Sequence, residues 1–415
     1  MSSRKASNRS LSEAKRAKQD EFYTQFIDIQ KEIQAYLDRD ENVFRDQIVY
    51  CNCDDPSESE FFKFFAANFN RLGLKKLITT SYERSPIAGQ ATLFPEHELG
   101  KDKKRWPTAV AVVIDQVTDL NGDGAADLLD VEQFLRSNDV ARISLKGTGS
   151  YRGGDFRSAQ CLEFLDQSDI VVTNPPFSLF REFIATILGH KKRFIVVGPK
   201  NAITYKEIFP HIMEDRIWLG AGFSNGNAYF RIPQGANTDF AEGVYDSNTG
   251  LVKFRNVGWF TNIDHGRRHE ILPLMTMADN LKYSKHKELR GKESYDRYDN
   301  YDAIEVPFVD AIPSDYDGVM GVPITFLDKY NPEQFEILGA TQRGCHDLVP
   351  DTRRYDDYWE VRQNGTRTGS SGSKTNENAN LYGNDGRKNY FVNSEGRMIQ
   401  SAYQRIFIRH RRGKG

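Results

Sequence analysis

Asn174-Pro175-Pro176-Phe177 is the segment of this chain best equipped for chemistry. The Asn174 amide oxygen is a hydrogen-bond acceptor, and Pro175 keeps a backbone carbonyl as a second one. The two prolines fix the turn so that both acceptors point the same way. Phe177 adds a flat apolar face on which a planar ring stacks. Two acceptors on one NH2 group draw its lone pair out of conjugation with an attached ring. The nitrogen then attacks a carbon electrophile, such as a methyl donor, without being deprotonated first. The apolar run Ile170-Val171-Val172 ahead of the motif reads as a strand and the segment behind it as a helix, so the motif occupies a strand-to-helix turn.

Other residues invite chemical readings of their own. Asp119, Asn121, Asp123, Asp127 and Asp130 place oxygens at alternating positions around Gly124, the spacing of a calcium loop, with Asp130 where Glu is commoner. A strand, residues 109–114, precedes them instead of the expected helix, so a tight polar turn competes with metal binding. His265 and His269 stand four apart beside Glu270, but the further ligands that a zinc centre needs are not evident. Arg267 and Arg268 fit a phosphate contact or a base reader better. Basic residues also gather in Arg4, Lys5, Arg9, Lys15, Arg16 and Lys18, against Glu13 alone, and in residues 405–414, which include Arg409 and no acid. Each run is either a nucleic-acid contact or a solvated terminus.

Two strand-helix-strand units position these residues. In the first, Gln47 to Cys51 reads as a strand. Asp55 then caps a helix with Pro56 at its first position, Phe61, Phe65, Phe69 and Leu72 form the buried face, and Gly73 stops it before a strand at Leu77 to Thr80. In the second, residues 170–172 lead through the Asn174 turn into a helix over 179–188 and a strand over 194–197. This alternation predicts an α/β fold, a mostly parallel sheet with helices on both faces and ligands at the carboxyl ends of its strands. Asp54, Asp55, Asp155 and Asn174 all follow or bridge such ends. Residues 1–40 read as a basic arm and an amphipathic helix (20–38), and residues 41–265 as the catalytic domain, interrupted by an insertion at 84–140. Residues 266–415 read as a recognition region with a mobile loop at 363–387, rich in Gly, Ser, Asn and Thr.

Composition sets the outer bounds. The chain has 415 residues, enough for two domains or one enlarged domain, and 39% hydrophobic content supports a sizeable core. No apolar run is long enough for a membrane span, and the first residues lack the hydrophobic centre of a secretory signal. Cys51, Cys53, Cys161 and Cys345 form no CxxC pair, which points to a reducing cytoplasm. The net charge of −2, from 56 basic and 58 acidic residues, leaves nucleic-acid binding to local patches.

The text from Asp169 to Phe183 resembles the EcoRI-type adenine-specific DNA methyltransferase family. So do Cys53-Asp-Asp-Pro-Ser-Glu-Ser59, Gly154-Asp-Phe-Arg-Ser158, Gly258-Trp-Phe-Thr-Asn262, and Met320 to Phe326 with its continuation Tyr330 to Phe335. The likeness covers most of residues 40 to 345. It implies a Rossmann-like sheet that uses S-adenosylmethionine, an adenine amino group in double-stranded DNA as acceptor, a monomer, and a cognate restriction endonuclease as partner. It makes Asn174, Pro175, Pro176 and Phe177 the catalytic set. It makes Asp155 an acceptor for the cofactor's adenine amino group and Phe156 a ring packed on it. The Gly-rich cofactor turn of related enzymes is missing, and Asp54, Asp55 and Pro56 stand in its place. Asp54 or Asp55 is expected to accept from the cofactor ammonium, and Tyr82 or Glu83 to hold the ribose, with Glu83 the better in chemistry. The alternatives are transfer to protein glutamine or to RNA, or a decayed fold that only binds DNA.

Overall fold

The computed structural model describes residues 23–56, 59–82, 109–120, 122, 129–130, 133, 141–223, 227–231, 243–341, 358–371, 378–383, 389–402 and 404–411. Contacts divide the chain into two compact units. The first comprises residues 1–202 with 218–267, the second 203–217 with 268–415. Residues 203–217 thus belong to the second unit.

The first unit is built on an eight-stranded mixed sheet. Its strands are β1 (Ile48–Cys51), β2 (Lys76–Thr80), β3 (Val110–Ile114), β4 (Ala141–Ser144), β5 (Ile170–Thr173), β6 (Arg193–Pro199), β7 (Trp218–Leu219) and β8 (Val257–Thr261). Their order is β4-β3-β2-β1-β5-β6-β8-β7. The central four, β2-β1-β5-β6, are parallel, and the pairs outside them are antiparallel. Residues in the central strands alternate between two buried faces, which accounts for their nearly unbroken apolar text. Val49, Val172, Ile195 and Val197 pack with Ile29 and Ile33 of helix α1 (Phe26–Leu37) and with Phe61, Phe62, Phe64 and Phe65 of helix α2 (Glu60–Ala67). On the other face Tyr50 meets Phe164 of helix α3 (Ala159–Gln167), and Phe180 of helix α4 (Phe180–Gly189) meets Phe260. Each fully buried Phe contributes about 1.5–3 kcal/mol of apolar transfer energy.

Several expectations are corrected here. Helix α2 starts at Glu60, with Ser59 as its cap: the Ser59 hydroxyl accepts from the Phe62 N–H at 3.2 Å, while Asp55 and Pro56 lie in the preceding turn. The segment expected as an insertion supplies β3, which pairs antiparallel with β2 and belongs to the main sheet. Tyr23–Thr24, expected as helix, is a short strand paired with Ala228–Arg231 in a separate four-stranded antiparallel sheet. The sheet of the first unit is mixed, with a parallel centre.

The second unit holds two sheets. One orders Ile304–Glu305, Met320–Pro323, Arg405–His410 and Phe335–Ala340. The other is antiparallel with five strands. Two of those five, Arg367–Ser371 and Asn380–Tyr382, lie inside the stretch expected as a mobile loop. In the first of these sheets Arg405 forks onto the buried Glu305 carboxylate, with Nε at 3.0 and 3.1 Å from its two oxygens. Among the described residues no helix is long and apolar enough to cross a membrane.

Candidate functional site

Chain order places the site. From β1 the chain passes through α2 to β2 on one side, and from β5 through α4 to β6 on the other. β1 and β5 are parallel neighbours, with Val49 opposite Ile170 and Tyr50 opposite Val171. Their carboxyl ends therefore flank the point where strand order reverses, the place where open α/β sheets form a ligand crevice. Asn52 to Asp55 leave β1 there, and Asn174 to Phe177 leave β5. The Thr173 hydroxyl donates to the Asn52 carbonyl and joins the two turns.

The first turn is fastened to β2 as well. The Asp54 N–H donates to the Thr80 carbonyl at 3.0 Å, and the Thr79 hydroxyl donates to the Asp54 carbonyl at 2.5 Å. Cys53 has φ +64°, a left-handed conformation that glycine adopts at less cost. Asp54 is buried and its Oδ1 accepts from the Ser59 hydroxyl at 2.9 Å, while Oδ2 is buried with no hydrogen bond. Burial pushes the Asp54 carboxyl up to about 7. The Thr173 and Ser59 hydroxyls work against that rise, and the charge of Asp55 adds to it. A buried carboxylate oxygen with unused acceptor capacity suits a cationic donor, so this acceptor fits the ammonium of S-adenosylmethionine. Asp55 is half-buried and Pro56 buried. The Asp55 carbonyl accepts from the Ser59 N–H at 2.7 Å.

A second segment closes on the same edge. Gly154 has φ +76°, and a Cβ there would stand 1.8 Å from the Ser81 carbonyl oxygen, so only glycine lets this turn lie on the residues after β2. The turn carries Asp155, buried, and Phe156, which is 2% exposed and meets Phe183 edge-on at 5.1 Å. The Asp155 carboxylate is already gripped by Arg157, with Nε and Nη2 each at 2.9 Å. Asp155 is thus an oriented acceptor with part of its capacity in use, and Phe156 wedges the turn against α4. Glu83 lies outside the described residues, and Tyr82 is half-buried.

In the turn after β5, Pro175 is buried and Asn174, Pro176 and Phe177 are half-buried. The Pro176 carbonyl accepts from the Leu179 N–H at 3.0 Å, opening the short 3-10 turn Phe177–Leu179 that runs into α4. The Pro175 carbonyl, one residue earlier, takes no part in that turn. Phe177 packs one side against the core that contains Phe61 and Trp259.

The arginines divide. Arg267 is exposed. Arg268, expected beside it as a DNA contact, is buried at 8% exposure and ion-paired with Asp215, which corrects that expectation. Arg409 is exposed and pairs with Glu336 on the adjacent strand at 2.9 Å. Of the calcium-like loop, Asp119 accepts from the Gly122 N–H at 2.6 Å, as a turn carboxylate does, and Asp130 accepts from the Leu120 N–H ten positions back at 2.7 Å. Asn121, Asp123 and Asp127 lie outside the described residues. No cluster of metal-ligating side chains exists among the described residues. His265 is buried with Nε2 3.0 Å from the Leu219 carbonyl, and His269 pairs with Glu333 at 2.9 Å, so the two histidines serve separate contacts.

Sequence reading missed two groups. Arg157 is one. The other is Glu32 of α1, fully buried, which accepts from the Ala221 and Gly222 N–H groups at 2.9 Å each and from the Tyr36 hydroxyl at 2.8 Å. A Cβ on Gly220 would stand 2.0 Å from Glu32 Oε1. The residue just beyond, Phe223, stacks on Trp259 at 5.4 Å. A charged residue at a core-facing helical position, Glu32 between Ile29 and Ile33, was the available signal.

The family model described as adenine-specific methyltransferase EcoRI matches residues 10–411. The chain is 40% identical over 342 residues to the type II methyltransferase M.EcoRI of Escherichia coli, covering 81% of this chain and 90% of that one. It is 33% identical to the type II methyltransferase M.MgeORF184P of Mycoplasma genitalium, over 78% of this chain and 84% of that one. It is 32% identical to M.MpnI of Mycoplasma pneumoniae, over 78% and 83%. No solved structure matches the chain significantly. With a family model spanning nearly its whole length and relatives aligned over most of theirs, the chain belongs to the EcoRI family of adenine-specific methyltransferases.

Proposed function

We propose that the protein methylates N6 of adenine in a short site of double-stranded DNA, with S-adenosylmethionine as donor. In this reading it acts as a cytoplasmic monomer and is the modification partner of a cognate restriction endonuclease. The observation that carries the reading is the Asn174 turn at the reversal point of the sheet, joined by Thr173 to the turn that holds Asp54. The target nitrogen lies inside a duplex, so the adenine is flipped out to reach the site. Asn174 Oδ1 and the Pro175 carbonyl accept from its amino group, and Phe177 stacks on its ring. Asp54 holds the ammonium of the donor and Asp155 its adenine amino group. S-adenosylmethionine, when bound, supplies a methyl group on a sulfonium. The side chains act chiefly by aligning the adenine nitrogen with that methyl carbon. Asn174 and Pro175 would hold the amino group in place for transfer, and the surplus proton would leave the product nitrogen afterwards.

The test is incubation of the full chain with unmethylated genomic DNA and S-adenosylmethionine, followed by modification-sensitive single-molecule sequencing. N6-methyladenine confined to one short motif is the expected result. Bound cofactor with no methyladenine would overturn the DNA acceptor.

A further inference from the structure

Arg157 grips two parts of the candidate site at once. Its backbone N–H and Nε donate to Asp155 Oδ1 at 3.0 and 2.9 Å, and Nη2 donates to Oδ2 at 2.9 Å. Nη1 reaches on to Glu182 Oε2 at 2.6 Å, in the first turn of α4. The guanidinium also lies over the rings of Tyr151 and Phe156, at 4.7 and 5.0 Å. Phe156 meets Phe183 of the same helix. The turn that carries Asp155 is therefore tied twice to the helix that grows out of the Asn174 turn, once by charge and once by ring contact.

Counting lone pairs sharpens the point. A carboxylate offers about four acceptor sites. Arg157 fills two on Oδ1 and one on Oδ2, so one direction on Oδ2 remains for a ligand donor. Only a planar fork serves both oxygens of Asp155 and a second acid at fixed angles, and lysine has no such fork.

We infer that Arg157 is a positioning residue that aims Asp155 at the cofactor's adenine amino group and, through Glu182, couples that grip to the acceptor turn. This rests on the proposed role of Asp155. The cofactor side and the acceptor side are then linked parts of one device.

Calorimetric titration of S-adenosylmethionine into the full chain, with single-turnover transfer to unmethylated genomic DNA, tests it. Arg157→Gln weakens cofactor binding about fivefold or more, and Arg157→Lys recovers only part of the loss. Glu182→Gln, whose carboxylate is 59% exposed, leaves the melting temperature unchanged but slows transfer at saturating cofactor by roughly two- to fivefold. Wild-type cofactor affinity in Arg157→Gln would overturn the aiming role, and wild-type transfer in Glu182→Gln would overturn the coupling. Should Arg157→Gln fail to fold, Glu182→Gln still decides the coupling. A wild-type chain that binds no S-adenosylmethionine would overturn the functional reading and this inference with it.

Discussion

At the scale of single residues, Asn174 and Asp54 divide the proposed reaction between them. Asn174→Ala removes one acceptor for the target amino group and leaves the turn after β1 intact. Transfer falls by about a hundredfold to a thousandfold while the cofactor dissociation constant stays near wild type. Single-turnover rates beside calorimetry check this. In the proposed reaction Asp54 is expected to add a dependence on pH. Burial raises its carboxyl to about 7, so the folded chain holds a proton that the unfolded chain has released by about pH 5. Its contribution to stability is full below the unfolded value and is lost as pH rises through about 7. Cofactor affinity runs the opposite way, because a cationic group prefers the ionised carboxylate. Between pH 6 and pH 7, below the range where the ligand's own ammonium titrates, affinity rises in wild type and does so less in Asp54→Asn, which calorimetry at the two pH values reads directly. Neighbouring residues of one type have opposite fates in this molecule: Arg267 is exposed, while Arg268 is buried against Asp215. A doublet in sequence carries no signal for that difference, since the partner is 53 positions away.

At the scale of elements, helix α1 holds the loop after β7. Glu32→Ala leaves the Ala221 and Gly222 N–H groups and the Tyr36 hydroxyl without their common acceptor. Of the three groups only the Tyr36 hydroxyl is fully buried, and leaving it orphaned costs about 1–3 kcal/mol, so the urea midpoint of the full chain falls. What the sequence made legible at this scale is uneven, for physical reasons. β1, β2, β5 and β6 were readable because strands buried on both faces are written as short apolar runs. Helix α4 was readable because it follows a fixed turn. The start of α2 was misplaced by four residues. Asp55-Pro56 is a good cap in isolation, but Asp54 and Asp55 are held down by bonds to β2 and to Ser59, which only the fold supplies. β3 was read as a strand but assigned to an insertion, because its antiparallel pairing with β2 spans the intervening residues 81–109 and leaves no local trace. The Asn174 motif was legible because its chemistry is local. Arg157 was not, because its meaning depends on Glu182 across 25 positions.

At the scale of the whole molecule, the two units are not consecutive lengths of chain. The chain leaves the first unit after Ala202, returns at Trp218, and leaves again after Arg267. The short excursion carries Ile208, Phe209, Ile212 and Ile217, all at 3% exposure or less, and its helical turn Phe209–Met213 packs on the strand Phe335–Ala340 of the second unit. A chain ended at Arg267 therefore keeps those apolar side chains without their cover. It is expected to precipitate or self-associate in size-exclusion chromatography. A version in which residues 203–217 are replaced by a short glycine-serine bridge is expected to elute as a single small species. The same discontinuity sets a timetable for synthesis. β7 and β8, which complete the sheet of the first unit, emerge only after the excursion, whose own cover has not yet been made. A ribosome-bound nascent chain of this protein thus exposes a sticky segment for the time it takes to translate more than a hundred further residues.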